Sequence, residues 1–491
     1  MRSLKTKITL SLIVLLLLTL SAFSQFSGLQ YDIRKSVVKI ISTEQGYNYR
    51  QPWQKLAISN SGGSGFIIKG NLIMTNAHVV EDSKYLQVQK FGDPELYAAE
   101  IKIIGHDCDL ALITVKNEKF FEGTEPLKIG ELPHIMDQVV VLGYPIGGEE
   151  LNITQGIVSR VEHITYTHSY FYFLGCQIDA NINSGNSGGP VFNNNGDVVG
   201  VAFEGNSERN LSYMIPPPII HHFLKDVEDG KYEGFPDLLL VYESMINEDA
   251  RTYYKMPEDV SGVLVYDILP ESPVLNSVKK GDVITEIDNV KIANDGTVEF
   301  RSGERTVWGY LTDSKHVGEN IEIKIYRNGK PKTIIATMTK ISDAKLVSYN
   351  KTDKEPKFYV VGGLVFQPLT INYLFLYNSA PTKFLYEARY GKIKKDRKEV
   401  IVISDILPND LNKGYDDVIS DFIVAKVNEK KITQLEDVIN TIENTKEKFV
   451  IIEEKGGVRI ILNAKKLRQK NKEILKKYNV VKDRSDCYVK Q

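Results

Sequence analysis

The chain has 491 residues, more than one ordinary hydrophobic core holds, so about three domains are expected. Its 42% hydrophobic and 25% charged residues, without low-complexity tracts, are those of a globular protein rather than a disordered or fibrous one. A formal net charge of −2 gives no electrostatic case for nucleic acid as a partner.

At the N-terminus Arg2, Lys5 and Lys7 precede an apolar run from Ile8 to Leu20, and "SAFSQ" sets Ala22 and Ser24 in a small-x-small pattern. This reads as a secretory signal peptide over residues 1–24, cut near Ser24. The other reading is an uncleaved anchor over residues 8–23, although the run is short for a bilayer span. Nothing later in the chain is apolar enough to cross a membrane. The expectation is an exported protein, periplasmic or secreted, with no stable span after cleavage. Only Cys108, Cys176 and Cys487 are present, so no disulfide framework staples the fold. A single Cys108–Cys176 bridge is conceivable, and buried free thiols are the plainer expectation. No CxxC or clustered His/Cys spacing points to a metal, and adjacent His221 and His222 leave a helix in different directions. No metal and no cofactor are expected.

From about Ser36 to Phe203, short β-type runs such as "SVVKIIS", "LALITV", "DQVVVLGYP" and "DVVGVAF" follow one another between Gly, Asn and Asp turns. Many short strands without long helices indicate a barrel or sandwich pair. "PPPIIHHFLKDVEDG" (Pro216 to Gly230) reads as a proline-started helix that closes this domain. An internal repeat follows. "VLVYDILPESP" begins at Val263 and "IVISDILPND" at Ile401, and "DVITEIDNVKI" (Asp282 to Ile292) is answered by "FIVAKVNEKKI" (Phe422 to Ile432) at nearly the same offset. One fold used twice is expected, with a helix over Leu435 to Asn444 in the second copy. The basic C-terminal stretch reads as a solvated surface helix, with an anionic partner as the other reading.

"INSGNSGGPVF" (Ile182 to Phe192) places Ser187 between glycines. Taken alone, that is either a tight turn or an activated nucleophile. A serine hydroxyl needs a base, a group that orients the base, and donors for the developing oxyanion. His78, at the end of the β-run "LIMTNAHVV", is the candidate base. Asp109 in "HDCDLALITV" is the candidate orienting acid, because it starts a strand and an imidazole N–H would satisfy its burial; Asp107 is its rival. Gly185 can turn its N–H inward beside that of Ser187, while Gly188 and Gly189 leave room for a carbonyl and close strand packing. No lysine flanks the serine and no helix follows, so a phosphate loop does not fit.

The order His78, Asp109, Ser187 is that of the chymotrypsin-like double β-barrel. Here "TNAHVV", "CDLALITV" and "GNSGGPVFNNNGDVVGVAF" resemble the active-site blocks of the HtrA (Deg) family of serine endopeptidases, which carry one or two PDZ domains after a trypsin-like domain. "SGVLVYDILPESPV" with "KKGDVITEIDNVKI" resembles a circularly permuted PDZ domain. "LGYPIGGEELNITQGIVSRVE" and "IANDGTVEFRSGER" are similar to the plant-type Deg branch, whose second PDZ domain is divergent. A signal-bearing chain departs from the organellar or nuclear setting of that branch. The second repeat reads "VISDFI" where the first has the Gly-Asp of "KKGDVI", which points to an assembly or regulatory role.

The resemblance implies a mainly β protein: a chymotrypsin-like double β-barrel followed by two PDZ-like α+β domains. Its boundaries would be a trypsin-like domain at 25–230, a first PDZ domain at 236–345, a divergent one at 355–466 and a basic tail at 467–491. It implies His78 as general base, Asp109 as its partner and Ser187 as nucleophile, with the oxyanion hole at Gly185, Asn186 and Ser187. The specificity pocket would be formed by Ile182, Asn183, Val201, Ala202 and Phe203, without an acid to demand Lys or Arg. Gly262, Val263, Leu264 and Val265 would hold a peptide added as a strand. "TYTHSYFYF" (Thr165 to Phe173) falls where the family has a loop that helps switch the site on; a core strand is the other reading. The implied partners are unfolded or damaged exported proteins and peptides, and further copies of the chain as a trimer or multiple of trimers. A peptide-binding chaperone or scaffold with a resting protease domain is the alternative. An esterase lacks its G-x-S-x-G elbow.

Overall fold

The computed structural model describes residues 32–488 apart from 146, 147, 149, 207–210, 341–344, 349–351 and 416–420. The segment read as a signal peptide lies outside the described residues.

Two closed six-stranded barrels come first. The first comprises β1 (Val37–Glu44), β2 (Ser59–Ile68), β3 (Leu72–Thr75), β4 (Ser83–Lys90), β5 (Tyr97–Gly105) and β6 (Leu110–Val115). The second comprises β7 (Gln138–Gly143), β8 (Asn152–Thr165), β9 (Tyr172–Ile178), β10 (Pro190–Phe192), β11 (Val198–Asn206) and β12 (Leu211–Ile215). Their orders, β1-β2-β3-β6-β5-β4 and β10-β11-β12-β9-β8-β7, are the same closed circuit once the second is counted from β7.

Side-chain alternation explains why these strands read as apolar runs rather than as apolar/polar alternation. Successive strand residues point to opposite faces. On β2, β3 and β6 one parity, Ile67, Ile73, Ala111 and Ile113, fills the first barrel. The other parity, Phe66, Met74, Leu110 and Leu112, packs into a core shared with Val139, Val141 and Val191 of the second barrel. Both faces are buried, and the site lies along that seam. Helix Pro217–Asp226 closes the domain, beginning at a proline and burying Ile219, Ile220 and Phe223.

The first repeat forms the sheet β13-β14-β15-β19-β20 from β13 (Leu240–Ser244), β14 (Val263–Ile268), β15 (Val283–Ile287), β19 (Asn320–Arg327) and β20 (Lys330–Thr337). A short β16 (Val290–Lys291) pairs with β15, and β17 (Thr297–Arg301) with β18 (Glu304–Val307) makes a separate hairpin. The second repeat has two sheets. One joins β21 (Tyr359–Val361), β22 (Leu364–Pro368) and β23 (Ile401–Ile406); the other joins β24 (Val424–Val427), β25 (Lys430–Lys431), β26 (Phe449–Glu454) and β27 (Arg459–Asn463). The two "DILP" segments are β14 and β23, each running antiparallel beside the strand before it. The paired hairpins also match: Ile287 faces Val290 and Val427 faces Lys430. Both turn through two left-handed residues, Asp288 (φ 46°) and Asn289 (φ 64°) in one, Asn428 (φ 46°) and Glu429 (φ 65°) in the other. That pattern is the type I′ turn suited to two-residue hairpins.

The residues expected as a basic tail from 467 onward are instead part of the second repeat. Helix Ala464–Lys477 buries Ala464, Leu467 and Ile474. Gly362 N donates to Asn471 Oδ1 at 2.8 Å, and Val360 N to Asp483 O at 2.6 Å. A run of lysines on the outer face had hidden the apolar stripe at helical spacing. Cys108 and Cys176 are buried free thiols and Cys487 is exposed, so no bridge joins the first two. Among the described residues no helix is long and apolar enough to cross a membrane.

Candidate active site

After β3 ends at Thr75, a single helical turn, Ala77–Val80, carries His78. Ala77, Val79 and Val80 are buried and anchor the turn, while the His78 side chain stays 30% exposed. Asp109 opens β6 with a left-handed φ of 54° and is 1% exposed. Its Oδ2 lies 2.7 Å from His78 Nδ1, and its Oδ1 accepts from His78 N at 2.9 Å. Asn76 Nδ2 donates to the Asp109 carbonyl at 2.8 Å, fixing the backbone from which that carboxylate projects. Burial alone would push the carboxyl up, but the charge and hydrogen bond of His78 outweigh it and hold Asp109 below the usual carboxylate value. On His78, burial pulls the imidazolium down and the Asp109 carboxylate more than offsets it, so the ring titrates above its ordinary value. Asp107, the rival acid, faces away: it accepts from the Tyr232 hydroxyl and from Phe235 N.

The serine loop is held from both barrels. Ser64 Oγ, on β2, donates to Gly185 O at 2.7 Å and accepts from Tyr144 N at 2.8 Å. Ser64 N donates to Ser187 O at 2.8 Å, and Gly188 N to Ala202 O at 2.7 Å. Gly185 (φ 99°) and Gly188 (φ 83°) are left-handed, and a Cβ on Gly188 would strike Ser64 O and Thr75 Oγ1. Asn186 N turns back to Asn183 O at 2.9 Å, so of the three residues expected around the oxyanion hole it is not a free donor. The N–H groups of Gly185 and Ser187 make no hydrogen bond among the described residues. They are left for an oxygen from outside. Ser187 Oγ leans to Phe203 O at 3.4 Å, and no hydrogen bond joins it to His78.

His78, Asp109 and Ser187 open onto one cavity of about 460 Å³, lined also by Thr167, His168, Ile182, Asn183, Ser184 and Phe203. Three of the five expected pocket residues line it. Val201 and Ala202 do not: both are wholly buried in β11, paired with Pro190, Ile215 and Met214. The aromatic segment splits its duties. Tyr166 is core, its hydroxyl donating to Leu174 O at 2.6 Å, whereas Thr167 and His168 face the cavity. Tyr170 reaches the second repeat, its ring centroid 5.9 Å from that of Phe375.

Comparison with known proteins agrees with this geometry. The trypsin-like peptidase domain family matches residues 63–201, and PDZ domain families match 224–337 and 347–487. Protease Do-like 2, chloroplastic, of Arabidopsis thaliana is 36% identical, over 92% of this chain and 74% of that one. This chain belongs to the Deg/HtrA family, and it is a serine endopeptidase. Protease Do-like 4, mitochondrial, of the same plant is 38% identical over 83% of this chain and 76% of its own. A solved variant of the HtrA-type protease AlgW with a decapeptide has a TM-score of 0.50 at 20% identity, covering 65% of this chain and 95% of that one; the likeness is of fold.

In this Deg/HtrA chain the expected peptide strand site at Gly262 to Val265 does not hold. Val263 and Leu264 on β14 pair with β15, and the same strand pairs with β13 along its length. Both its edges are taken, so no peptide can add there. The edge strands of that sheet are β13 and β20, and β13 is the one that lies beside β14. Sequence reasoning missed Ser64 and Asn76 as supports, and it marked His168 only as part of the Thr165–Phe173 segment. Their partners are far off in the chain, and only the barrel seam brings them together. Glu81, His106 and His168 likewise converge beside His78. Burial holds the His168 ring down at about 4 and pushes Glu81 up to about 8.

Proposed function

We propose that the chain cleaves peptide bonds in unfolded or damaged proteins by acyl transfer at Ser187. The single observation that carries this reading is the His78 Nδ1–Asp109 Oδ2 contact of 2.7 Å beside the cavity that Ser187 lines. With Nδ1–H held by the carboxylate, His78 is fixed in the tautomer whose Nε2 accepts a proton. Ser187 Oγ rotates off Phe203 O, gives its proton to His78 and attacks the carbonyl carbon. The oxygen of the tetrahedral adduct is taken by the Gly185 and Ser187 N–H groups. The imidazolium returns the proton to the leaving amine, and water, deprotonated by His78, releases the acyl group. Ile182, Asn183 and Phe203 leave the substrate side-chain pocket without a charge, which suits small or medium aliphatic side chains.

An exposed C-terminus or extended segment would add to β13 and adjust activity, on the strand-addition logic of PDZ domains. The chain would act on exported proteins as a trimer or multiple of trimers; the relatives, by contrast, are named chloroplastic and mitochondrial. A second reading, a peptide-binding chaperone with a resting protease domain, is favoured by the Ser187 hydroxyl lying on Phe203 O rather than on His78. A fluorophosphonate probe separates the two. Labelling of the wild type that is lost in Ser187→Ala and in His78→Ala supports the protease. A wild type that never labels yet suppresses aggregation of an unfolded protein supports the chaperone.

A further inference from the structure

We propose that Glu81, His106 and His168 form a binding site for a transition-metal dication of the Zn²⁺ class, with Asp353 orienting His106. The site stands beside the catalytic cavity and uses none of the residues given catalytic roles.

Three separate pieces of the protease domain supply the donors. Glu81 follows the helical turn that carries His78, His106 lies in the turn between β5 and β6, and His168 sits in the loop between β8 and β9. One ligand atom from each lies within 4.8 Å of the other two. His106 Nδ1 and His168 Nε2 are 3.0 Å apart; Glu81 Oε2 lies 3.9 Å from the other nitrogen of the His168 ring, Nδ1, which places the carboxylate beside that ring. Metal–nitrogen bonds of about 2.0–2.1 Å set ligand nitrogens about 3.3 Å apart in a tetrahedron, so the imidazole pair already has the required spacing. Two nitrogens this close need something between them, either a shared proton or a cation. Glu81 Oε2 is buried and has no hydrogen-bond partner, which is costly for a carboxylate oxygen unless a ligand satisfies it.

The fourth observation lies outside the protease domain. Asp353, near the start of the second PDZ match, places Oδ2 3.0 Å from His106 Nε2. A carboxylate on the remote nitrogen of an imidazole fixes the tautomer and turns the other nitrogen toward a metal. Thr352 Oγ1, 2.9 Å from His106 Nδ1 and 3.0 Å from Nε2, stands over the same ring edge and would yield Nδ1 or share it as an oxygen donor. Two imidazoles and one carboxylate select Zn²⁺, Co²⁺ or Ni²⁺ over Ca²⁺ or Mg²⁺, which prefer all-oxygen shells. Three protein ligands leave a coordination position open for water.

Occupancy would bear on the site next door. The His168 ring is 6.1 Å from the His78 ring, centroid to centroid, and lines the same cavity as Ser187. A bound ion would pin the 166–171 loop to the His78 turn and, through Asp353, to the start of the second PDZ domain.

The test uses the full chain, stripped with a chelator and titrated with Co²⁺. One equivalent should give the visible bands of low-symmetry nitrogen/oxygen coordination, displaced by Zn²⁺, and Zn²⁺ should raise the thermal unfolding midpoint. His106→Gln and His168→Ala should abolish the bands, and Asp353→Asn should weaken Co²⁺ binding about 10–100-fold. Circular dichroism confirms that each variant is folded. A shared proton between the rings, with no stoichiometric bands, overturns the site, as does binding that survives both histidine variants. Fluorophosphonate labelling of the metal-free chain is measured in parallel. A chain that labels but gives no bands defeats this proposal alone, and one that gives bands but never labels defeats only the catalytic reading.

Discussion

The hydroxyl of Ser64 donates a 2.7 Å hydrogen bond to the carbonyl of Gly185 across the seam of the two barrels. With Asn186 N bound to Asn183 O, the peptide between residues 185 and 186 is fixed at both ends. Ser64→Ala would orphan the Gly185 carbonyl and Tyr144 N, both paired through this hydroxyl. The expected cost is on the order of 1–3 kcal/mol of stability. Because the hole is then no longer held before the reaction, kcat should fall roughly tenfold or more while KM moves little. Thermal unfolding and single-turnover labelling of Ser187 measure the two effects. An unchanged labelling rate would remove Ser64 from the account.

The His78–Asp109 pair makes stability and activity prefer different pH. The folded His78 titrates above its ordinary value of 6.5, so its contribution to stability is full below 6.5 and fades as pH rises through the raised value. Asp109 titrates below 3.8, so its contribution is full above 3.8 and fades as pH falls through the depressed value. The wild type should therefore exceed His78→Ala in unfolding midpoint most between these limits. Catalysis needs neutral His78, so the acid limb of kcat/KM should have its midpoint above 6.5. In Asp109→Asn burial is opposed only by the smaller pull of Glu81 and Glu44: the limb should move down, and the rate should drop by about four orders of magnitude as the tautomer is lost. A wild-type limb below 6.5 contradicts the assignment.

What lies in contiguous residues was legible in the sequence. "TNAHVV", "CDLALITV" and "GNSGGPVF" each set their candidate residue in a local turn, and the barrels bring His78, Asp109 and Ser187 to one cavity. The repeat was legible because both copies preserve the D-I-L-P strand and a hairpin turn. What failed depended on sheet pairing and on strand faces. Gly262 to Val265 looked like an open ligand strand, but nothing in "SGVLVYDILP" says that β13, some twenty residues earlier, has already paired with it. Val201 and Ala202 sit next to Phe203, yet they are closed into the barrel ladder while Phe203 reaches the cavity.

Gly185 should be more sensitive than its small side chain suggests. At φ 99° an alanine is strained by about 1–2 kcal/mol on backbone grounds alone. Relief of that strain turns the N–H away from the cavity, since no hydrogen bond holds it in place. Gly185→Ala should therefore lose two to three orders of magnitude in kcat, the size expected for one oxyanion donor, with little change in unfolding midpoint. A variant that melts several degrees lower but turns over normally would reverse this assignment.

His163 ties the first PDZ domain to the strand that leads into the cavity loop. Its ring is buried on β8, with Nδ1 2.8 Å from Thr306 Oγ1 and Nε2 2.9 Å from Asp313 Oδ2, both in the first repeat. Arg301 adds hydrogen bonds to the carbonyls of Leu132 and Pro133 at 3.2 and 2.8 Å. From His163, β8 ends at Thr165, and His168 follows at the cavity. If a peptide seats on β13 as proposed, this pair would give it a physical route to Ser187. Where such coupling amounts to about 1–3 kcal/mol, peptide should change the labelling rate about 5–150-fold. His163→Ala breaks the route and leaves the mostly buried Asp313 without its partner, so the peptide effect should shrink toward unity while peptide affinity for the PDZ domain persists. His163→Gln, which keeps a side-chain donor, should restore part of it. Equal peptide responses in wild type and His163→Ala would show that the signal travels elsewhere.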